Sequence, residues 1–577
     1  MSSTTPRTTD GLHRKRDVLR IEPTRRYLAL LVAFACSCAV GMGTAAAQQT
    51  SNAATAARQR CLALNNLKIA ASSIALPTSG ATVVSATFVT ATDSGNSNGE
   101  FCKVLGGIHP VDPTAPDIKF EVNLPTRWNN RMLQMGGGGF DGTLVSGLGG
   151  ASNQIPTSAT PLALGYATLG SDSGHETAGG FDGRFALNAE SFANFGRLQI
   201  KKTHDVAMAL VQRRYGVPPK HSYFIGGSQG GHEALIAALF YPADFDGIVS
   251  HYPAYDLTLM HLAAQYRARA LFRSADTWIS PEKMKTITTT VYGACDGLDG
   301  VVDGIISNVA GCNRVMTMDA LRAKLRCADG RDVGPMCLSD GQLATVQTFN
   351  TPFSLGFPVS AGLSTFPKLA ILDGATFLNA LGQTSTPSKW PTNQDATQYQ
   401  EATGTTRYVI TRDLTLDPLT FDPGKWATRI AEVSEIWDAN SVDLSQFVAK
   451  GGKVILTVGS IDHTITPYNT VNYYERLVAR FGQAVADTFL RFYRIPGFAH
   501  GNGLFNAKFD ALSALDAWVD EGRAPGTLEA VDINPENHQR RRPMCVYPAW
   551  PQYKGSGEVN AASSFTCVTG DARSQTN

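Results

Sequence analysis

The pentapeptide Gly226-Gly227-Ser228-Gln229-Gly230 joins an apolar strand-like run, Tyr223-Phe224-Ile225, to a helix-like run that begins at His232. A serine flanked by glycines at such a junction occupies a cramped backbone conformation at the tip of a sharp turn. A Cβ at position 226 or 230 would collide with the neighbouring strand or helix, while the turn lifts the hydroxyl clear of the sheet. The junction predicts a nucleophile elbow. A glycine turn that serves packing alone is the competing use.

The chain around it supplies a matching fold. Strand-like segments end in glycine-rich or polar turns: 131–135 runs into Gly136-Gly137-Gly138-Gly139, and 166–169 runs into Gly170-Ser171-Asp172. Further strands are expected at 247–249, 453–458 and 489–495, with helix-like stretches at 192–215, 470–481 and 507–521. Strands alternating with helices imply an α/β fold, a central and mostly parallel sheet covered on both faces. Residues 255–439 break this rhythm, with four cysteines, many Thr and Pro and few strand signals, and read as an inserted lid. The expected organisation is a leader over 1–47, a core over 48–254, the lid, and the rest of the core with a tail over 440–577. After Gly557 the tail reads as loop.

With 577 residues and a formal net charge of +1, the chain exceeds one minimal domain and lacks the basic excess of a nucleic-acid groove or polybasic membrane patch. Its best apolar stretch, 27–40, is short for a bilayer span. Arg14, Lys15, Arg16, Arg20, Arg25 and Arg26 precede it and Thr44-Ala45-Ala46-Ala47 follows, as in an export signal cleaved near Ala47. Arg25-Arg26 also admits a twin-arginine route. The mature protein is therefore expected in a periplasm or outside the cell, with no stable membrane span. Of the ten cysteines, Cys36 and Cys38 fall within the leader. The other eight are Cys61, Cys102, Cys295, Cys312, Cys327, Cys337, Cys545 and Cys567. An even number without a Cys-x-x-Cys pair favours disulfides in an exported chain. Joining sequence neighbours would close four local loops, but the sequence alone leaves the connectivity open.

A serine hydroxyl is a poor nucleophile until a base takes its proton, and that base needs an acid to hold its tautomer. In the strand–elbow–helix folds, acid and histidine follow the serine along the chain. Asp462 lies beyond the strand ending at Val458, and His500 beyond the strand ending at Ile495. A turn cap for Asp462 and a backbone-bonded loop role for His500 compete with catalysis. His463, adjacent to the acid, and His175 and His251, outside the expected order, rank lower. The oxyanion requires backbone N–H donors: Gln229 after the nucleophile, and the glycine loop at 136–140. A phosphate cradle is discounted because no Gly-Lys-Ser/Thr follows that loop. In the lid, Asp296, Asp299 and Asp303 are separated by glycines and could curl around a hard cation such as calcium, although the spacing is not that of an EF-hand. An acidic solvated turn is the competing use.

Several segments taken together resemble the tannase and feruloyl esterase family of α/β-hydrolases, which includes mono(2-hydroxyethyl) terephthalate hydrolases. They are Leu124-Pro125 with Trp128-Asn129-Asn130-Arg131 leading into the glycine loop, Gly165-Tyr166 through Asp172-Ser173-Gly174-His175, and 223–231. Tyr241 through Gly247 to Pro253-Ala254, and the Asp462 and His500 segments, complete the match. The resemblance implies an α/β-hydrolase fold with a large lid, Ser228 as nucleophile, Asp462 as acid and His500 as base. It implies oxyanion donors at Gln229 and at Gly136 or Gly137. It also implies structural calcium held by the side chains of Asp296, Asp299 and Asp303 with the carbonyls of Val301 and Ile305, no organic cofactor, and disulfides 61–102, 295–312, 327–337 and 545–567. The family usually carries a disulfide between cysteines just before the nucleophile and just after the histidine; here those positions are Gly227 and Gly501. The implied activity is that of an exported serine carboxylesterase on small esters of aromatic acids, of feruloyl, galloyl or terephthaloyl monoester type. Trp390, Arg407, Tyr408 and Arg412 are candidates to line its pocket, with salt bridges inside the lid as the alternative. A hydrolase of aliphatic polyesters and a non-catalytic binding protein are the rival readings.

Overall fold

Ten strands pair into one sheet in the computed structural model, which describes residues 55–177, 180–378, 380–537 and 539–570. The expected leader, with Cys36 and Cys38, lies outside the described residues. The described residues from 60 onward form one compact unit. In chain order the strands are β1 (Lys68–Ile69), β2 (Ala81–Val89), β3 (Phe101–Ile108), β4 (Ile118–Pro125) and β5 (Arg131–Met135). They continue with β6 (Ala167–Ser171), β7 (His221–Gly227), β8 (Gly247–His251), β9 (Lys453–Gly459) and β10 (Leu490–Ile495). Their spatial order is β1-β2-β3-β4-β6-β5-β7-β8-β9-β10.

From β6 to β10 all neighbours are parallel, as the alternation of strands and helices requires. The first four strands run antiparallel to one another, and β4 runs antiparallel to β6. The sequence reading missed this meander because antiparallel neighbours need only short turns, so no helix punctuates them. The parallel strands carry continuous buried runs such as Tyr223-Phe224-Ile225, Ile248-Val249 and Val454-Ile455-Leu456, the pattern of strands covered on both faces.

Helices α1 (Gln199–Tyr215), α2 (Gln229–Phe240), α3 (Leu257–Leu271), α4 (Pro281–Cys295), α5 (Pro467–Phe481) and α6 (Ala511–Glu521) are long, as is the helix Ala427–Trp437. α1 ends on Gly216, whose φ of 82° gives the left-handed stop that glycine adopts without strain. The helix expected over 192–215 is split by a wider π-type turn at Asn194–Leu198. A short strand, Ala507–Lys508, precedes α6 where only helix was expected. Between β8 and β9 the described residues add no strand to the large sheet. The tail after Gly557 is not all loop, since Phe565–Val568 pairs antiparallel with Trp550–Tyr553.

All four disulfides join sequence neighbours: Cys61–Cys102, Cys295–Cys312, Cys327–Cys337 and Cys545–Cys567. No helix among the described residues is long and apolar enough to cross a membrane. Parallel strands point their carboxyl ends to one rim, so the turns after β5, β7, β8, β9 and β10 meet there.

Candidate active site

Ser228 sits at φ 60°, ψ −118°, a conformation that L-residues rarely adopt. The surroundings enforce it. The Ser228 N–H donates to the His251 carbonyl (3.0 Å), and the Ser228 carbonyl accepts from Ala254 (3.2 Å) and His232 (3.0 Å). A Cβ at Gly226 would lie 2.4 Å from the Gly230 backbone, and one at Gly230 would lie 2.9 Å from the Gly137 carbonyl. Both glycines are therefore required by the close approach of β7, α2 and the glycine loop. α2 opens at Gln229, where the N–H has no intrahelical acceptor.

Asp462, fully buried, and His500 come from the turns after β9 and β10. The carboxylate is held from both sides. Its Oδ1 accepts the N–H groups of Thr464 and Ile465, each at 2.8 Å, and its Oδ2 lies 2.9 Å from His500 Nδ1. With Nδ1 donating to this oxygen, Nε2 is left as the acceptor. The two turns are interlocked, for the Ile461 N–H donates to the Phe498 carbonyl (3.1 Å). A Cβ at Gly459 would come within 2.1 Å of that same oxygen. Lys508 donates to the Gly501 carbonyl at 3.1 Å from the other side of the loop. Ser228, Gln229 and His500 open onto one cavity of about 220 Å³, larger than the ~150 Å³ apolar cavities that admit benzene. Phe140, Phe181, Leu257 and Met260 supply apolar walls.

The glycine loop departs from expectation. The Gly136 N–H donates to the Ile225 carbonyl (3.0 Å), and the Gly137 N–H donates to the Glu233 carboxylate (2.9 Å). Neither of the expected oxyanion donors is free, because β7 and α2 already take their hydrogens. Gly139, further along the same loop, lines the cavity instead.

Beneath this loop lies an acid pair that the sequence reading did not single out. Glu233 and Asp141 are fully enclosed; burial raises both, Asp141 to about 7, and the Asp141 charge raises Glu233 further. Gln199 donates to Glu233 (2.7 Å), and Ser173 donates to Asp141 (2.8 Å). His175 Nε2 lies 2.7 Å from the Phe140 carbonyl. The Asp172-Ser173-Gly174-His175 run, noticed only as part of a resemblance, thus braces the loop. Its order in the chain gave no sign of that role, since the partners lie more than thirty residues away.

Tyr252 occupies the space between the serine and histidine turns. A Cβ at Gly227 would lie 2.7 Å from its hydroxyl oxygen, one at Gly501 would lie 3.3 Å from it, and its ring is 4.8 Å from that of His500. The remaining histidines are engaged elsewhere. His251 Nδ1 meets Thr457 Oγ1 at 2.8 Å, and burial pushes its imidazole down to about 3. His463 packs against Phe377 and does not line the cavity. Nor do Trp390, Arg407, Tyr408 or Arg412 line it. Arg407 donates to the carbonyls of Leu416 (2.6 Å) and Lys389 (2.9 Å) and lies 4.9 Å over the Trp390 ring. Trp390 and Tyr408 line a separate cavity of about 450 Å³.

For a metal, Asp296, Asp299 and Asp303 do share one loop, enclosed by the Cys295–Cys312 disulfide. Asp296 and Asp299 are buried and accept backbone N–H groups, from Gly304 and Asp303 and from Val301 and Ser307 respectively, with the Ser307 side chain adding a bond to Asp299. Burial raises both carboxyls, and Asp303 adds to each. Asp303 itself pairs with Arg542. Two buried carboxylates with no ion-pair partner fit a divalent cation on charge. Their oxygens and that of Asp303 do not all come within 4.8 Å of one another, so a cation would have to draw them together. His204, Asp205 and Asp244 do come that close, but Lys201 already bridges the two carboxylates at 2.7 and 3.0 Å.

Comparison with known proteins supplies the family. The family profile described as tannase and feruloyl esterase matches residues 102–568. The chain is 38% identical over 516 residues to an uncharacterized esterase of Agrobacterium fabrum, covering 88% of this chain and 93% of the relative. It is 29% identical to the mono(2-hydroxyethyl) terephthalate hydrolase of Piscinibacter sakaiensis, covering 83% of this chain and 86% of that enzyme. The crystal structure of feruloyl esterase B from Aspergillus oryzae superposes with a TM-score of 0.70 at 23% identity, covering 89% of this chain and all of that one. An α/β-hydrolase sheet and a profile spanning most of the sequence lead to one conclusion: the chain is a carboxylic ester hydrolase that belongs to the tannase and feruloyl esterase family.

Proposed function

We propose that the protein is an exported serine esterase that hydrolyses small esters of aromatic carboxylic acids through an acyl-enzyme. The observation that carries this reading is the 2.9 Å contact between His500 Nδ1 and Asp462 Oδ2, with His500 and Ser228 on the wall of one cavity. His500 Nε2 takes the Ser228 proton as the hydroxyl oxygen attacks the ester carbonyl, and Asp462 stabilises the resulting imidazolium. The Gln229 N–H and Gly139 of the glycine loop, both on the cavity wall, receive the oxyanion. His500 then protonates the departing alcohol, activates a water and releases the acid.

Phe140 and Phe181, which line the cavity, support an aromatic substrate. The hydroxycinnamate and terephthalate activities named for relatives point to the same class. The four disulfides support an oxidising destination. Asp296, Asp299 and Asp303, with the carbonyls of Val301 and Ile305, would hold calcium, whose bound charge would offset the buried carboxylates and fix the loop.

The test is hydrolysis of a chromogenic aryl ester and of methyl ferulate by wild type and Ser228→Ala. The reading requires loss of roughly 10³-fold or more in kcat. Equal rates in the two proteins would overturn it.

A further inference from the structure

We infer that the buried carboxyls of Asp141 and Glu233 act as one positioning device for oxyanion binding, locking the turn that holds Gly139 against the Ser228 cavity. The inference rests on the esterase reading above and deepens it.

The glycine loop ends in a tight turn. The Asp141 N–H donates to the Gly138 carbonyl at 2.9 Å, which puts Gly139, with a φ of 62°, at the first central position. Gly139 lines the Ser228 cavity, so the aim of its backbone depends on how firmly this turn is held. Asp141 itself is held in the left-handed region, with a φ of 53°. Ser173, whose hydroxyl donates to Asp141 Oδ2 at 2.8 Å, is left-handed as well, at 65°. Strain of this kind persists only where the surroundings enforce it, and it clusters at working sites.

Glu233 grips the other end of the loop. Its carboxyl accepts the Gly137 N–H at 2.9 Å, and it lies one turn beyond Gln229 on the same face of α2. The Asp141 carboxyl is within hydrogen-bonding reach of Glu233 and beside the Gln229 amide. Both oxyanion-binding residues of the esterase reading are thus tied to one pair of acids. The loop rests directly on that pair. A Cβ at Gly136 would lie 2.5 Å from Glu233 Oε2, and one at Gly137 would come closer still to Asp141 Oδ1.

The anchorage closes on itself. Gln199 Nε2 donates to Glu233 Oε1 (2.7 Å), Ser171 Oγ donates to Gln199 Oε1 (2.8 Å), and the Ser173 N–H donates to Ser171 Oγ (3.2 Å). The ring Ser171–Gln199–Glu233–Asp141–Ser173 therefore joins β6, α1, α2 and the glycine loop, and every member is buried. A network of this kind stiffens a site when each member is satisfied. No lysine or arginine belongs to it. Burial raises both acids, so a proton stays with the pair. That proton supplies their mutual hydrogen bond and removes negative charge that would oppose an oxyanion at the loop.

The experiment measures kcat and KM on a chromogenic aryl ester and on the matching thionoester, in wild type, Asp141→Gly, Asp141→Asn, Ser173→Ala and Ser228→Ala. A thionoester develops its charge on sulfur, a weak hydrogen-bond acceptor, so well-placed N–H donors favour the ester. Asp141→Gly removes the carboxyl and leaves a residue that accepts the positive φ. It should lower kcat on the ester by roughly 10- to 100-fold with KM little changed, and the ester-to-thionoester ratio should fall by about tenfold. Asp141→Asn tolerates the same φ and keeps an acceptor for Ser173 and a donor for Glu233, so it should recover most of that loss. Ser173→Ala should move the ratio the same way by a smaller factor, and it decides the matter if the glycine variant does not fold. An unchanged ratio in Asp141→Gly, or in Ser173→Ala in its place, would overturn the inference while leaving the esterase reading intact. So would an Asp141→Asn no better than Asp141→Gly. Full activity of Ser228→Ala would overturn both.

Discussion

The ring of Tyr252 lies 4.8 Å from the imidazole of His500 and fills the gap between Gly227 and Gly501. Those two glycines flank the candidate nucleophile and base, at the positions where relatives of this fold are expected to carry a disulfide. An aromatic wedge thus stands between the two turns. The wedge is itself held under strain, since Tyr252 has a φ of 33° and its N–H donates to the Thr457 carbonyl on β9 at 2.6 Å.

Tyr252→Ala should lower kcat by roughly ten- to a hundredfold with little change in KM, because the histidine turn loses its packing support. It should also destabilise the fold by about 3–5 kcal/mol through the cavity it leaves. Tyr252→Phe should stay close to wild type, since the hydroxyl's contacts, with Ser152 and at a long 3.4 Å with Asn153, involve no residue of the candidate triad. Steady-state kinetics with urea unfolding tests both statements, and a wild-type kcat in the alanine variant would refute the positioning role.

The Asp141–Glu233 pair gives stability a pH dependence whose sign follows from burial. Asp141 has an ordinary value of 3.8 and is raised to about 7 in the fold, so the native state keeps a proton that the unfolded chain releases. The favourable contribution is complete below pH ~4 and is lost as pH rises through ~7. Asp141→Asn removes this dependence. The stability of the variant relative to wild type should rise steadily between these limits when urea midpoints are compared at several pH values. A constant difference across that range would exclude the shared proton.

Asp462→Asn keeps the shape of the site but reverses the tautomer preference of His500. A loss of about 10³- to 10⁴-fold in kcat is expected, with the melting temperature little changed. Glutamate at that position should not rescue it, because Thr464 and Ile465 already fix Oδ1 at 2.8 Å. Retention of more than a tenth of wild-type kcat by Asp462→Asn would remove this carboxylate from the mechanism.

Chelation of divalent cations should lower the melting temperature by several degrees, with recovery on adding calcium and little recovery on adding magnesium. Asp299→Asn should blunt that response, since its buried carboxylate has no ion-pair partner among the described residues. A melting curve indifferent to chelator would leave the acidic loop braced by its backbone N–H groups and Arg542 alone.

Much of the architecture was legible because strong local signals reported it. Glycines around Ser228 pointed to the elbow, and apolar runs ending at Val458 and Ile495 located the turns that carry Asp462 and His500, whereas the cysteine pairing was left open by the sequence and decided by the fold. Short-range sterics and strand periodicity suffice for the elbow and the strand ends, since both are written in consecutive residues. What only the tertiary structure decided involves partners distant along the chain. Glu233 takes the Gly137 hydrogen across 96 residues, and His261 meets Thr405 across 144. Tyr252 enters a gap framed by two separate turns. No periodicity encodes which buried acid, imidazole or ring will face which, because that is set by how the sheet, the helices and the long segment between β8 and β9 pack around one rim.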